Sequence, residues 1–121
     1  MTDAPLNAVP TVLLMHEPDY ADAVAQDGRV ALQLSGHSHG GQVRLPGYGV
    51  FILPRYGRKY DLGLYQVKEL WLYTNPGIGV IGPAIRLNCR PEITEITLVA
   101  DKGSPLHQRP KKVGPVSEIL V

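Results

Sequence analysis

The 121-residue chain has one cysteine, one tryptophan, one phenylalanine and almost no excess charge. A single cysteine excludes an internal disulfide framework. Cys89, between Asn88 and Arg90, reads as a packed thiol rather than a nucleophile. No apolar run reaches the roughly 18 residues a membrane span needs. Twelve Lys and Arg stand against eleven Asp and Glu, a formal charge of +1. That balance offers no basis for a strongly basic nucleic-acid binder or an acidic tail. The first ten residues carry neither a basic n-region nor an apolar h-region, so no signal peptide is expected. A cytoplasmic location is the default expectation, although Met1 need not begin the natural gene product.

Glycine and proline are plentiful, at 13 and 11, and 44% of residues are apolar. That apolar share can form a core, and the turn formers favour short strands over a helical bundle. Thr11 to Met15 (TVLLM) reads as a buried strand ending at His16. Pro18 to about Gln26 reads as a helix closed by Gly28. Val30 to Leu34 reads as a second strand. Residues 11 to 34 therefore suggest a βαβ unit. If its strands are parallel neighbours, His16, His37 and His39 all reach the carboxyl edge where ligands gather in open α/β sheets.

Beyond Gln42 the chain reads as strand-rich, with short apolar segments at 43–45, 50–53, 63–67, 70–74 and 93–99. Leu64–Val67 and Leu70–Tyr73, separated by Lys68-Glu69, suggest a hairpin. Residues 101–121, with Lys102, Arg109, Lys111, Lys112 and three prolines, read as a mobile polar tail after a domain spanning 1–100. His107 falls there and is given no role.

The chemistry concentrates in LQLSGHSHGGQVRLP, residues 32–46. In an extended turn, residues two apart project to one side, so His37 and His39 could bind one cation or two adjacent ones. Gly36, Gly40 and Gly41 would clear space and allow positive φ. The plainer alternative is a polar surface loop. His16 is either a third ligand or a histidine satisfied by backbone, while Glu17 and Asp19 read as helix-start residues.

The stretches LLMHEPD and GHSHGGQ, followed by LPRYGRKYDLGLY and LYTNPGIGVIGPAIRLNCRPEITEITL, resemble the calcineurin-like metallophosphoesterases. The likeness runs from about Val12 to Leu98 and is strongest to a bacterial phosphoesterase branch. It implies α/β architecture: the C-terminal half of a two-sheet sandwich with flanking helices. It implies two divalent metal ions (Mn, Zn, Fe or similar), with His16 and His37 on one and His39 on the other. Such a centre hydrolyses phosphate esters or pyrophosphates by activating water. The substrate would be a phosphorylated small molecule or a lipid-linked phosphate.

Arg58, in the Arg55–Tyr60 loop, and Asn75 are the candidate substrate-binding residues. The loop's other reading is a solvated segment with packed tyrosines. Arg86 and Arg90 would either pair with Glu92 or touch substrate. The family's earlier blocks (D-x-H, G-D and G-N-H followed by D or E) do not occur in the sequence, so no catalytic residue is assigned. Without their carboxylates the two-cation site is incomplete, and the chain alone is expected to be inactive. A non-catalytic metal-binding or assembly module that pairs with a separate N-terminal half is the alternative. A mononuclear centre on His16, His37 and His39 is a third reading.

Overall fold

The computed structural model describes residues 10–99 and two further strands, Lys112–Val113 and Val116–Leu120. Its main sheet has four strands: β1 (Thr11–Leu14), β2 (Val30–Ser35), β6 (Leu70–Thr74) and β5 (Gly63–Val67), in that spatial order. β1, β2 and β6 run parallel, and β5 closes the other edge antiparallel to β6. The expected βαβ unit is present. Between β1 and β2 lie a 3-10 turn, Pro18–Tyr20, and helix α1, Ala21–Asp27. Pro18 opens the turn without sacrificing a needed N–H, and Gly28, at φ 74°, ends the helix in the left-handed region.

The β5–β6 hairpin turns at Lys68-Glu69, with Val67 opposite Leu70. Lys68 takes φ 54° there, since a tight hairpin needs positive φ at its first central residue. Leu70 and Leu72, two apart on β6, share one face. With Ala21 and Tyr60 they form the core, against which Val24, Ala25, Val30, Tyr65 and Val67 pack. Tyr73 faces the other way. Its hydroxyl bonds Glu92 and lies 2.9 Å from the Thr94 hydroxyl, tying residues 92–94 to the sheet. Burial and the Glu92 carboxylate raise its pKa to about 12.

The strand-rich expectation after residue 42 holds with shorter strands. β3 is Arg44–Leu45 and β4 is Gly49–Val50, an isolated antiparallel pair, so residues 51–53 lie outside the strand expected there. β7 is Ile96–Val99, without residues 93–95. β8 (Lys112–Val113) and β9 (Val116–Leu120) fall in the segment expected to be a tail. β9 pairs in parallel with β7 and antiparallel with β8. Among the described residues there is one α-helix rather than helices on two faces. No helix there is long and apolar enough to cross a membrane.

Candidate metal centre

β1 and β2 end side by side, with Leu14 opposite Leu34. The Met15 N–H donates to Leu34 O and the Gly36 N–H to His16 O, so the two chains stay paired past the sheet. This delivers His16 and His37 to one point. His16 Nε2 lies 3.0 Å from His37 Nδ1, with ring centroids 4.6 Å apart and planes at 62°.

The GHSHGGQ turn is not extended, which corrects the geometry expected from the H-x-H spacing. His37 (φ 64°), His39 (51°), Gly40 (59°), Gly41 (75°) and Gln42 (54°) all lie in the left-handed region. For non-glycine residues such backbone is costly and persists only where its surroundings hold it. Several bonds do so. Ser38, buried, donates to Asp61 O and accepts from the Gly40 N–H. The His39 carbonyl accepts from the Gln42 N–H, the Cys89 thiol and the Arg86 guanidinium. Arg44 donates to Gly40 O and forms a half-buried ion pair with Asp61 at 2.6 Å. The Gln42 amide donates to the carbonyls of Ile81 and Pro83 and accepts from the Ile81 N–H. The contacting histidines are thus 21 residues apart in sequence, and the two flanking Ser38 are not the contacting pair.

His37 Nε2 donates to the Arg55 carbonyl at 2.9 Å. His39 Nδ1 is buried without a hydrogen-bond partner among the described residues. Both observations suit metal ligation. Two nitrogens about 2.1 Å from one cation sit about 3.0 to 3.4 Å apart for angles between right and tetrahedral. The His16–His37 separation falls at the short end of that span. No group of three or more His, Cys, Asp or Glu able to hold a metal occurs among the described residues. His39 therefore does not complete a single cluster with the other two.

The other candidates are engaged elsewhere. The Arg58 N–H donates to Asp19, and the residue lines a hollow with Val50, Phe51, Ile52 and Leu53 to which no histidine contributes. Asn75 accepts from the Gly77 N–H and donates to Thr94 Oγ1, so both halves of its amide are used. Arg86 binds the carbonyls of Pro76, Gly79, His39 and Cys89. Neither Arg86 nor Arg90 forms an ion pair with Glu92 among the described residues. Cys89 is buried, as a packed thiol should be. Asp19 carries more than a helix start: its carboxylate accepts N–H groups from residues 58, 59 and 60. Nothing in the sequence signals that clamp, which spans about forty residues.

Beside the histidines opens a pocket of about 440 Å³ lined by His37, His39, Val43, Phe51, Ile81 and Ile85, among others. Phe51, Ile52, Ile81 and Ile85 stay largely exposed at its rim.

No family model matches the chain, and no solved structure matches it. Curated relatives do. The chain is 48% identical over 88 residues to YkuE, an uncharacterized metallophosphoesterase of Bacillus subtilis, a match covering 73% of the chain and 30% of the relative. It is 41% identical over 91 residues to the phosphodiesterase YaeI of Escherichia coli, covering 75% and 33%. It is 38% identical over 91 residues to a zebrafish (Danio rerio) transmembrane protein with metallophosphoesterase domain, covering 74% and 20%. The chain thus spans about a third or less of the length of these relatives. It belongs to the metallophosphoesterases and carries part of their domain.

Proposed function

We propose that the chain supplies the histidine side of a dinuclear phosphoesterase centre. The observation that carries the reading is the approach of His16 Nε2 to His37 Nδ1, 3.0 Å apart, at the carboxyl edge of β1 and β2. These two imidazoles would hold one divalent cation and His39, through its unpartnered Nδ1, a second. The cations would lower the pKa of a bound water and neutralise phosphate charge. Two neighbouring cations also need anionic ligands to offset their repulsion. Among the described residues no carboxylate joins the histidines in a metal-holding group. The D-x-H, G-D and G-N-H blocks would come from the rest of the domain, and this chain would be inactive without them.

The pocket beside His37 and His39 supports a lipid-linked phosphate over a small polar ester. Its walls are mainly apolar and come from the loops that follow β2, β4 and β6. Apolar walls with a few polar groups at one end suit a ligand with a hydrocarbon part and an anionic head.

The test is hydrolysis of bis-p-nitrophenyl phosphate with added Mn²⁺. The chain alone should show no turnover, and a mixture with a polypeptide carrying the three missing blocks should show turnover that His37→Ala abolishes. Turnover by the isolated chain, or none in a demonstrated complex, would overturn the reading. A complex that binds cations without hydrolysis would select the non-catalytic assembly module instead. One tightly held cation per isolated chain, lost in each of the three His→Ala variants, would select the mononuclear centre.

A further inference from the structure

We infer that Asp19 is a positioning residue that fixes, through the 55–60 loop, which nitrogen of His37 faces His16. A carbonyl oxygen can only accept a hydrogen bond. The 2.9 Å contact with Arg55 O therefore puts the proton of neutral His37 on Nε2. Its lone pair is then on Nδ1, the atom 3.0 Å from His16 Nε2.

The Arg55 carbonyl is held in place from outside its own loop. The Asp19 N–H donates to Tyr56 O at 3.0 Å. The Asp19 carboxylate receives the N–H groups of Arg58 at 2.9 Å, Lys59 at 3.1 Å and Tyr60 at 3.1 Å. Successive N–H groups converging on one carboxylate form a concave anion nest, and such charge-assisted bonds are the stronger kind. Between the two anchors Tyr56 takes φ 65° and Gly57 is buried. A Cβ on Gly57 would sit 3.4 Å from His37 Cδ2, so the loop backbone lies against the ring. Asp19 follows His16 by three residues. One short segment thus presents the first imidazole and orients the second. Asp22 also grips the loop, but through the Lys59 ammonium and the Tyr60 hydroxyl, not through backbone.

The tautomer is independent of any cation. Its consequence for cation binding rests on the function proposed above. His37 Nδ1 can accept a cation only while Nε2 keeps the proton, and partners that fix a ligand's tautomer typically contribute 10–100-fold to affinity, on the order of what is expected here.

The experiment is ¹⁵N NMR of the imidazole nitrogens in the metal-free full chain at neutral pH. The wild type should show His37 as a single tautomer protonated on Nε2. Asp19→Asn should mix the tautomers, while Asp22→Asn should leave His37 unchanged. If Asp19→Asn does not fold, Asp19→Glu keeps the charge but displaces the carboxylate, and should mix them too. A wild-type His37 protonated on Nδ1, or a single Nε2–H tautomer persisting in a folded Asp19 variant, overturns the inference. Mn²⁺ titration then separates the two ideas. Loss of affinity in Asp19→Asn of about 10–100-fold extends the inference to cation binding. Failure of the wild type to bind any cation even when mixed with a polypeptide carrying the three missing blocks counts against the proposed function and leaves the tautomer result standing.

Discussion

Gly41 packs directly on Val50: a Cβ on Gly41 would fall 2.2 Å from Val50 Cγ1. The clash is with a β-branched side chain on β4, which has little freedom to move aside. Gly41 also holds φ 75°, so a substitution is strained twice. Gly41→Ala should lose about 2–4 kcal/mol, combining overpacking with backbone strain. Urea unfolding measures it. Adding Val50→Ala should recover part of the loss but not all, because the backbone term remains.

Arg86 is a carbonyl collector. Replacing it with methionine keeps much of the stem but leaves the carbonyls of Pro76, Gly79, His39 and Cys89 without its guanidinium. The expected cost is about 2 kcal/mol, from hydrogen bonds to a charged donor. Because Cys89 sits under the same group, its thiol should react faster with a disulfide reagent in Arg86→Met. An unchanged rate would mean that the loop stays closed without the arginine.

The Tyr73 phenol should show in alkaline unfolding. Its folded-state pKa, about 12, lies above the ordinary value of 10.0. The stabilisation from keeping it neutral and bonded to Glu92 is therefore full below about pH 10. It is lost as pH rises from there through about 12. Burial raises Tyr60 and Tyr65 as well, so absorbance titration of the native chain should show several late-ionising tyrosines, of which the component near pH 12 is absent in Tyr73→Phe. If Tyr73→Phe has the same alkaline midpoint as the wild type, the Glu92 contact contributes nothing.

For the histidines, His16→Ala and His37→Ala should each weaken Mn²⁺ or Co²⁺ binding by about 100-fold, at or above the upper range for outer-shell partners. The double variant should be scarcely worse than either single one, since both remove ligands from one ion. Additive losses by isothermal titration would place the two imidazoles on separate ions.

Among the described residues β1 is an edge of the main sheet, and Leu14 on it is 78% exposed. Open apolar edges promote strand-to-strand association, and a lysine there opposes it. Leu14→Lys should shift the chain toward monomer in light scattering at matched concentration. An unchanged mass distribution would move the sticky surface elsewhere, with the Phe51–Ile81–Ile85 rim next in line.

Part of this was readable from residue order. Apolar runs bounded by Gly and Pro located β1, β2, α1, β5 and β6, because those runs carry their own period and punctuation. They gave no hint of β8 and β9, where lysine and proline hide a paired segment. The H-x-H spacing pointed to His37 and His39 as neighbours, whereas the contact in the fold is between His16 and His37. The spacing argument treats the turn as extended, whereas His37, His39, Gly40, Gly41 and Gln42 all hold positive φ.

The sequence alone determined which side chains could bind a cation, since imidazoles at 16, 37 and 39 are fixed by identity. Homology with the metallophosphoesterases follows from the same residue order. The family resemblance grouped His16 with His37, but composition and spacing did not, and only the tertiary structure shows what brings the two imidazoles together. Parallel pairing of β1 with β2 brings His16 to His37, and that depends on hydrogen bonds between residues about twenty apart. The same holds for Asp19 and the backbone at 58–60, and for Arg86 and the His39 carbonyl. A backbone N–H or C=O has no sequence signature, because every residue but proline carries both. Its partner is chosen by the fold.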